Sequence, residues 1–181
     1  MVKLKDYYGK YCESEYEYAL LAFLEKEGWL YALGTQIGRQ TKRDVLIEND
    51  FKSFVSDINP GLTEEDINQL YNNVKLVGST TDFATLHKFY GWVVNGYQFT
   101  PQNGQPRMIQ FIDFEHPEKN MFRAVNQFTV EYTNNGKKEN RRPDVLLFVN
   151  GMPLCVMELK NPADANATVY DAWEQINIRY W

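Results

Sequence analysis

Histidine, cysteine and positive charge are scarce in this chain of 181 residues, and each shortage closes off a class of function. The two histidines, His87 and His116, stand neither in metal-ligand spacing nor beside a Ser or Cys nucleophile motif, so both read as structural. The two cysteines, Cys12 and Cys155, lie far apart. Cys155 falls in an apolar run that suits a small buried hydrophobe, and both thiols are expected to be reduced. No apolar run approaches the roughly 20 residues that span a bilayer, and the opening MVKLKDYYGKYCESEYEY has no signal-peptide core. No membrane partner and a cytoplasmic location are therefore expected. A formal charge of −5 excludes a protein that grips nucleic acid by global charge, so any DNA contact must come from local basic clusters. Repeats, low-complexity segments, linkers and the phosphate-cradling G-x-x-x-x-G-K-[ST] loop are all missing.

What is present suits one globular domain over residues 1–181: 44% hydrophobic and 15% aromatic residues are enough for a sizeable core. The first half has helical spacing. In SEYEYALLAFLEKEGW the positions Tyr16, Ala19, Leu20, Phe23 and Leu24 share a face, and Ser14 with Glu17 has the form of a capping box. TKRDVLIENDFKSFVSDI predicts a second helix, with Thr41 and Asp44 able to cap it. A third starts at Thr63 and uses Ile67, Leu70, Tyr71 and Val74. A short fourth runs near Thr81 to Tyr90 and stops at Gly91. Beyond Gly91 the pattern turns to strands, with reversals expected at Asn95-Gly96, Asn134 to Gly136 and Asn150-Gly151. A last helix is expected from Thr168, with Thr168 to Asp171 able to form a capping box and Ala172, Trp173 and Ile176 facing inward. Its pattern breaks off at Trp181, so a fragment of a longer chain is expected.

RRPDVLLFVNGMPLCVMELKNP, Arg141 to Pro162, carries the chemistry. Its two strands are apolar on both parities, as in a sheet covered on both sides. Asp144, Glu158 and Lys160 flank them, and burying unpaired charges there would cost several kcal/mol on an order-of-magnitude scale, so a site is the economical explanation. A two-residue Asn-Gly loop would point Asp144 and Glu158 to opposite faces. A three-residue loop or an equivalent bulge at Val149 to Met152 is therefore predicted. Two carboxylates and the Leu159 carbonyl would suit Mg²⁺ or Mn²⁺, with Lys160 assisting a water in phosphodiester hydrolysis. The basic run Lys137, Lys138, Arg141 and Arg142 could meet DNA phosphates, although a charge run beside a turn is more often a solvated loop.

IDFEHPEKNMFRAVNQFTV, then RRPDVLLFVNGMPLCVMELKNP, then AWEQI, together resemble the N-terminal nuclease region of the R (restriction) subunit of type I restriction-modification enzymes. The resemblance implies an α/β fold of the PD-(D/E)xK restriction-endonuclease class: a mixed central sheet flanked by helices, here with a helical N-terminal part. It implies Asp144, Glu158 and Lys160 as the catalytic trio and Gln175 as a supporting residue. The family's Tyr four residues after that Gln falls on Arg179 here, with Tyr180 one beyond. The family also uses a Glu on the first helix. Glu17 fits best, with Glu13 a turn earlier, and cap and metal-site support stay equally open for Glu17. Asn126-Gln127 resembles a family motif without an assigned chemistry. The resemblance further implies a Mg²⁺-dependent endodeoxyribonuclease acting on double-stranded DNA, with methylation and specificity subunits as partners. ATP would be used only by a translocase outside these residues. A non-catalytic nuclease-fold scaffold and a repair or recombination nuclease of the same superfamily are the alternatives.

Overall fold

The computed structural model describes residues 13–77, 83–134, 136–160 and 168–179. Its elements gather into two units. One comprises Met1–Ile37, Phe122–Phe148 and Leu154–Trp181, and the other Gly38–Met121 and Val149–Pro153.

The first unit holds helix α1 (Glu13–Lys26), strands β1 (Leu30–Leu33) and β4 (Phe122–Asn126), most of β7 (Val145–Val149) and of β8 (Met152–Met157), the ribbon of β5 (Val130–Asn134) and β6 (Lys137–Arg141), and helix α5 (Val169–Arg179). One sheet has the order β1-β4-β7-β8. β1 runs parallel to β4, with Leu30 against Arg123 and Leu33 against Asn126. The end of β7 meets the start of β4 where Asn150 N–H donates to the Met121 carbonyl at 2.8 Å, so β7 runs antiparallel to β4. β8 returns antiparallel through a tight turn. This is the mixed α/β sheet that the sequence predicts. Leu21, Leu24, Ala124 and Val145 form its core on the α1 side. Leu21 faces inward and Phe23 is exposed, unlike the face predicted for α1. That helix is apolar around most of its circumference, so spacing alone does not select the buried side.

The second unit packs helices α2 (Glu48–Ile58), α3 (Glu64–Val77) and α4 (Phe83–Asn95) with the short pair β2 (Tyr97–Phe99) and β3 (Arg107–Ile109). Phe51, Val55, Leu70, Val74, Phe111 and Met152 are its centre. The third helix starts where Thr63 predicts, and Thr63 and Asp66 cap it, a pair the sequence reading did not name: the Thr63 hydroxyl donates to Asp66 at 2.7 Å and accepts the Asp66 N–H at 3.1 Å. Thr41 and Asp44 bond likewise but in a turn ahead of α2, which begins only at Glu48. α4 runs through Gly91 and ends at Gly96, whose φ of +87° closes the helix. Asn95-Gly96 is therefore a helix terminus where a hairpin turn was expected.

Two expectations for the Asp144 hairpin need correcting. Its turn has two residues, Asn150 (φ +51°) and Gly151 (φ +78°), both left-handed as a tight primed hairpin turn requires, so the predicted three-residue loop is not formed. β8 is also the edge of the sheet. Val145, Leu146 and Phe148 of β7 are buried, whereas Leu154, Cys155 and Val156 of β8 are exposed, so Cys155 is not the buried hydrophobe expected. An edge strand lacks a neighbour on one side, which local apolarity cannot reveal.

Candidate active site

Asp144 precedes β7 and Glu158 follows β8, so both stand outside the regular ladder, at the same end of the sheet. This is why the two-residue turn does not separate them: strict alternation of faces ends with Met157. The Asp144 carboxylate accepts the Leu159 N–H at 2.6 Å, which ties the residue between Glu158 and Lys160 back to the start of β7. Gln175, from α5, completes the group. Its Nε2 donates to Glu158 at 2.7 Å, and its Oε1 accepts from the Lys160 ammonium at 2.7 Å. A carboxylate can only accept and an ammonium can only donate, so these partners fix the amide in one orientation. Asp144, Glu158, Lys160 and Gln175 are all half-buried. Gln175 turns toward Glu158 together with half-buried Ala172 and Ile176, which leaves Trp173 exposed and stacked on Tyr170, contrary to the inward placement expected for it. Thr168 and Asp171 form the predicted cap of α5, with the Thr168 N–H on Asp171 at 2.6 Å.

Glu17 reaches the same end of the sheet by another route. Ser14 lies within α1, and the Glu17 carboxylate accepts Asn126 Nδ2 at 2.6 Å. Asn126 ends β4, antiparallel to the start of β7 where Asp144 stands. Its Oδ1 accepts the Tyr31 hydroxyl at 3.1 Å. Burial pushes the Tyr31 phenol above its ordinary value, and neighbouring Tyr18 and Glu17 act in the same direction. Sequence reasoning overlooked Tyr31 and left Asn126 without a role. An asparagine directly after the apolar pair Ala124-Val125 at the end of a strand was the available signal. Glu13 lies in the first turn of α1, and Tyr180 falls outside the described residues.

The basic run is a strand where a solvated loop was the commoner expectation. β6 (Lys137–Arg141) pairs with β5 (Val130–Asn134) through a reversal at Gly136. Lys137, Lys138 and Arg142 are exposed, Lys138 meets Glu131 at 3.4 Å, and Arg141 lies 4.8 Å over the Tyr132 ring. His87 stacks between Phe83 and Tyr90, and His116 Nδ1 stands 3.5 Å from Asp113.

Among the described residues no group of three or more His, Cys, Asp and Glu side chains is arranged to hold a metal ion. Carboxylate and backbone carbonyl oxygens, the donors that Asp144, Glu158 and Leu159 carry at this end of the sheet, are of the kind a hard cation takes together with water and phosphate. No helix among the described residues is long and apolar enough to cross a membrane.

The sequence profile of the family described as type I restriction enzyme R protein N terminus matches residues 10–180. The chain belongs to that family. Its relatives include the type I restriction enzyme HindI endonuclease subunit of Haemophilus influenzae, 31% identical over 177 residues, which cover 90% of this chain. A Methanocaldococcus jannaschii protein carrying the name of the type I restriction enzyme MjaIXP endonuclease subunit is 36% identical over 167 residues, 87% of this chain. The matched part is 16% of each relative's length, so the chain spans about a sixth of these relatives.

Proposed function

We propose that this R-protein N-terminal region is a metal-dependent endodeoxyribonuclease domain that hydrolyses phosphodiester bonds of double-stranded DNA. The observation that carries the reading is the hydrogen-bonded group Asp144–Leu159 and Glu158–Gln175–Lys160 at one end of the sheet. Asp144, Glu158 and the Leu159 carbonyl would hold Mg²⁺ or Mn²⁺. When bound, such an ion polarises a phosphoryl oxygen and lowers the pKa of a coordinated water. Lys160 spends one of its three N–H donors on Gln175, which holds the ammonium beside Glu158 and leaves donors for a phosphate oxygen or the attacking water. Gln175 acts through its neighbours, setting the Glu158 and Lys160 side chains relative to each other.

The exposed cations Lys137, Lys138 and Arg142 lie on or next to a ribbon that leads directly into Asp144, and they would bring the DNA backbone to the carboxylates. The acidic chain would depend on a larger assembly to stay on DNA. Methylation and specificity subunits are the proposed partners, and an ATP-driven translocase in the remainder of the subunit is proposed to feed DNA to the site. Cleavage of plasmid DNA by the complete enzyme, compared with its Lys160→Ala variant, tests the assignment. Loss of cleavage with ATP hydrolysis retained is expected. Cleavage that survives the substitution would favour a scaffold that keeps the nuclease fold for docking.

A further inference from the structure

We propose that Asn126 and Tyr31 are positioning residues of this site, fixing the Glu17 carboxylate at the end of the sheet where Asp144 and Glu158 stand. The inference rests on the nuclease reading and adds to it two residues with no assigned part in the chemistry.

Asn126 is only 2% exposed, and both polar atoms of its side chain are hydrogen-bonded. Glu17 offers only acceptors, so the amide must present its NH₂ to Glu17. Its oxygen then faces Tyr31, whose hydroxyl must donate. The order Tyr31 to Asn126 to Glu17 is therefore the one arrangement that satisfies every atom. A phenol is protonated at neutral pH and can donate, and burial pushes Tyr31 further in that direction.

The backbone around Asn126 is pinned as firmly as its side chain. The Gly34 N–H donates to the Asn126 carbonyl at 2.7 Å. A Cβ on Gly34 would lie 2.5 Å from the Phe128 Cα and 2.6 Å from the Gln127 carbonyl oxygen, so β1 approaches the end of β4 as closely as glycine allows. Gln127 adopts φ +56°, a left-handed conformation that a non-glycine residue holds only when its surroundings over-determine it. Such precision exceeds what closing a strand end needs. It delivers Glu17 with one oxygen committed to Asn126 and the other able to accept from water at the catalytic end. Among the described residues Glu17, Asp144 and Glu158 form no three-carboxylate group, so the part proposed for Glu17 is to act from beside the ligands.

The test uses the full-length subunit in the assembled enzyme, with variants Glu17→Ala, Asn126→Ala, the double variant, Tyr31→Phe and Asp144→Ala. DNA cleavage, Mn²⁺ affinity by calorimetry and the thermal midpoint are measured for each. Glu17→Ala and Asn126→Ala are each expected to lower cleavage and Mn²⁺ affinity about 10- to 100-fold, the usual cost of losing an outer-shell partner. The double variant should be no worse than the poorer single one, because Asn126 acts through Glu17. Tyr31→Phe, which removes one oxygen and keeps the ring, should give a smaller loss of the same kind. It decides the matter if Asn126→Ala does not fold. Losses that multiply in the double variant would overturn the inference, as would a lowered thermal midpoint with cleavage and Mn²⁺ affinity unchanged. Full activity in Glu17→Ala alongside an inactive Asp144→Ala would sink the inference alone, whereas an active Asp144→Ala would remove the nuclease reading itself.

Discussion

The Asp144 carboxylate accepts the backbone N–H of Leu159, so a side chain ahead of β7 anchors the chain just after β8. The bond gives Asp144 two separable jobs. Asn can still accept the Leu159 N–H but brings no negative charge. Asp144→Asn should therefore leave the thermal midpoint nearly unchanged while lowering cleavage by about 10²-fold or more, since loss of charge stabilisation worth several kcal/mol costs tenfold per 1.36 kcal/mol. Calorimetric unfolding beside single-turnover cleavage checks both halves.

Gln175 bridges Glu158 and Lys160, whereas its neighbour Glu174 is exposed on the same helix. Gln175→Ala should lower cleavage about 10- to 100-fold, because Glu158 and Lys160 lose the amide that holds them together. Glu174→Ala is the matched control and should cleave like the parent. Equal rates for the two variants would show that the bridge has no part in the chemistry.

How much of this was legible in the sequence depends on whether a feature is local. The helices in 48–77, the start of one at Thr63 and the Thr168–Asp171 cap were readable because a cap is set by residues three apart. Asp144, Glu158 and Lys160 were placed together on an alternation argument, and Gln175 joined them on the resemblance alone. The alternation argument demanded a bulge, and the turn has none. The bonds that are formed, Asp144 to the Leu159 N–H and Gln175 to Glu158 and Lys160, lie beyond the strand ends, where alternation no longer applies. The Tyr31–Asn126–Glu17 chain was invisible for a different reason. It joins residues 95 and 109 positions apart through a parallel pairing of β1 with β4 that no local pattern announces. Exposure of Cys155 likewise follows from β8 being an edge, a property of sheet order.

Gly151 carries two constraints at once. Its φ is +78°, and a Cβ there would lie 2.4 Å from the Ile47 carbonyl oxygen and 2.7 Å from the Phe51 N, both backbone atoms at the start of α2. The Gly151 carbonyl also accepts the Ile47 N–H at 2.9 Å. Gly151→Ala should destabilise by about 1–3 kcal/mol, the usual cost of overpacking a site that cannot yield. Chemical denaturation should show a lower midpoint with an unchanged slope. A variant as stable as the parent would mean that the turn can shift without cost.

Asp66 is 1% exposed and holds the start of α3. It accepts the Thr63 N–H and hydroxyl, and its other oxygen accepts the Gln102 N–H at 2.9 Å. The Thr63 backbone bond, with those of Gln102 and the Thr63 hydroxyl, outweighs burial and holds the carboxyl below its ordinary value. A carboxyl whose folded pKa lies below its unfolded one stabilises the fold above the unfolded value, about 3.9, and loses that contribution as pH falls through the folded value. Asp66→Asn, which keeps an acceptor but cannot ionise, should be less stable than the parent at neutral pH. The gap should begin to narrow near pH 4 and continue to close at lower pH. Denaturation midpoints for both proteins across pH 7 to 2 measure it directly. A gap that stayed constant over that range would mean that the charge of Asp66 adds nothing to the cap.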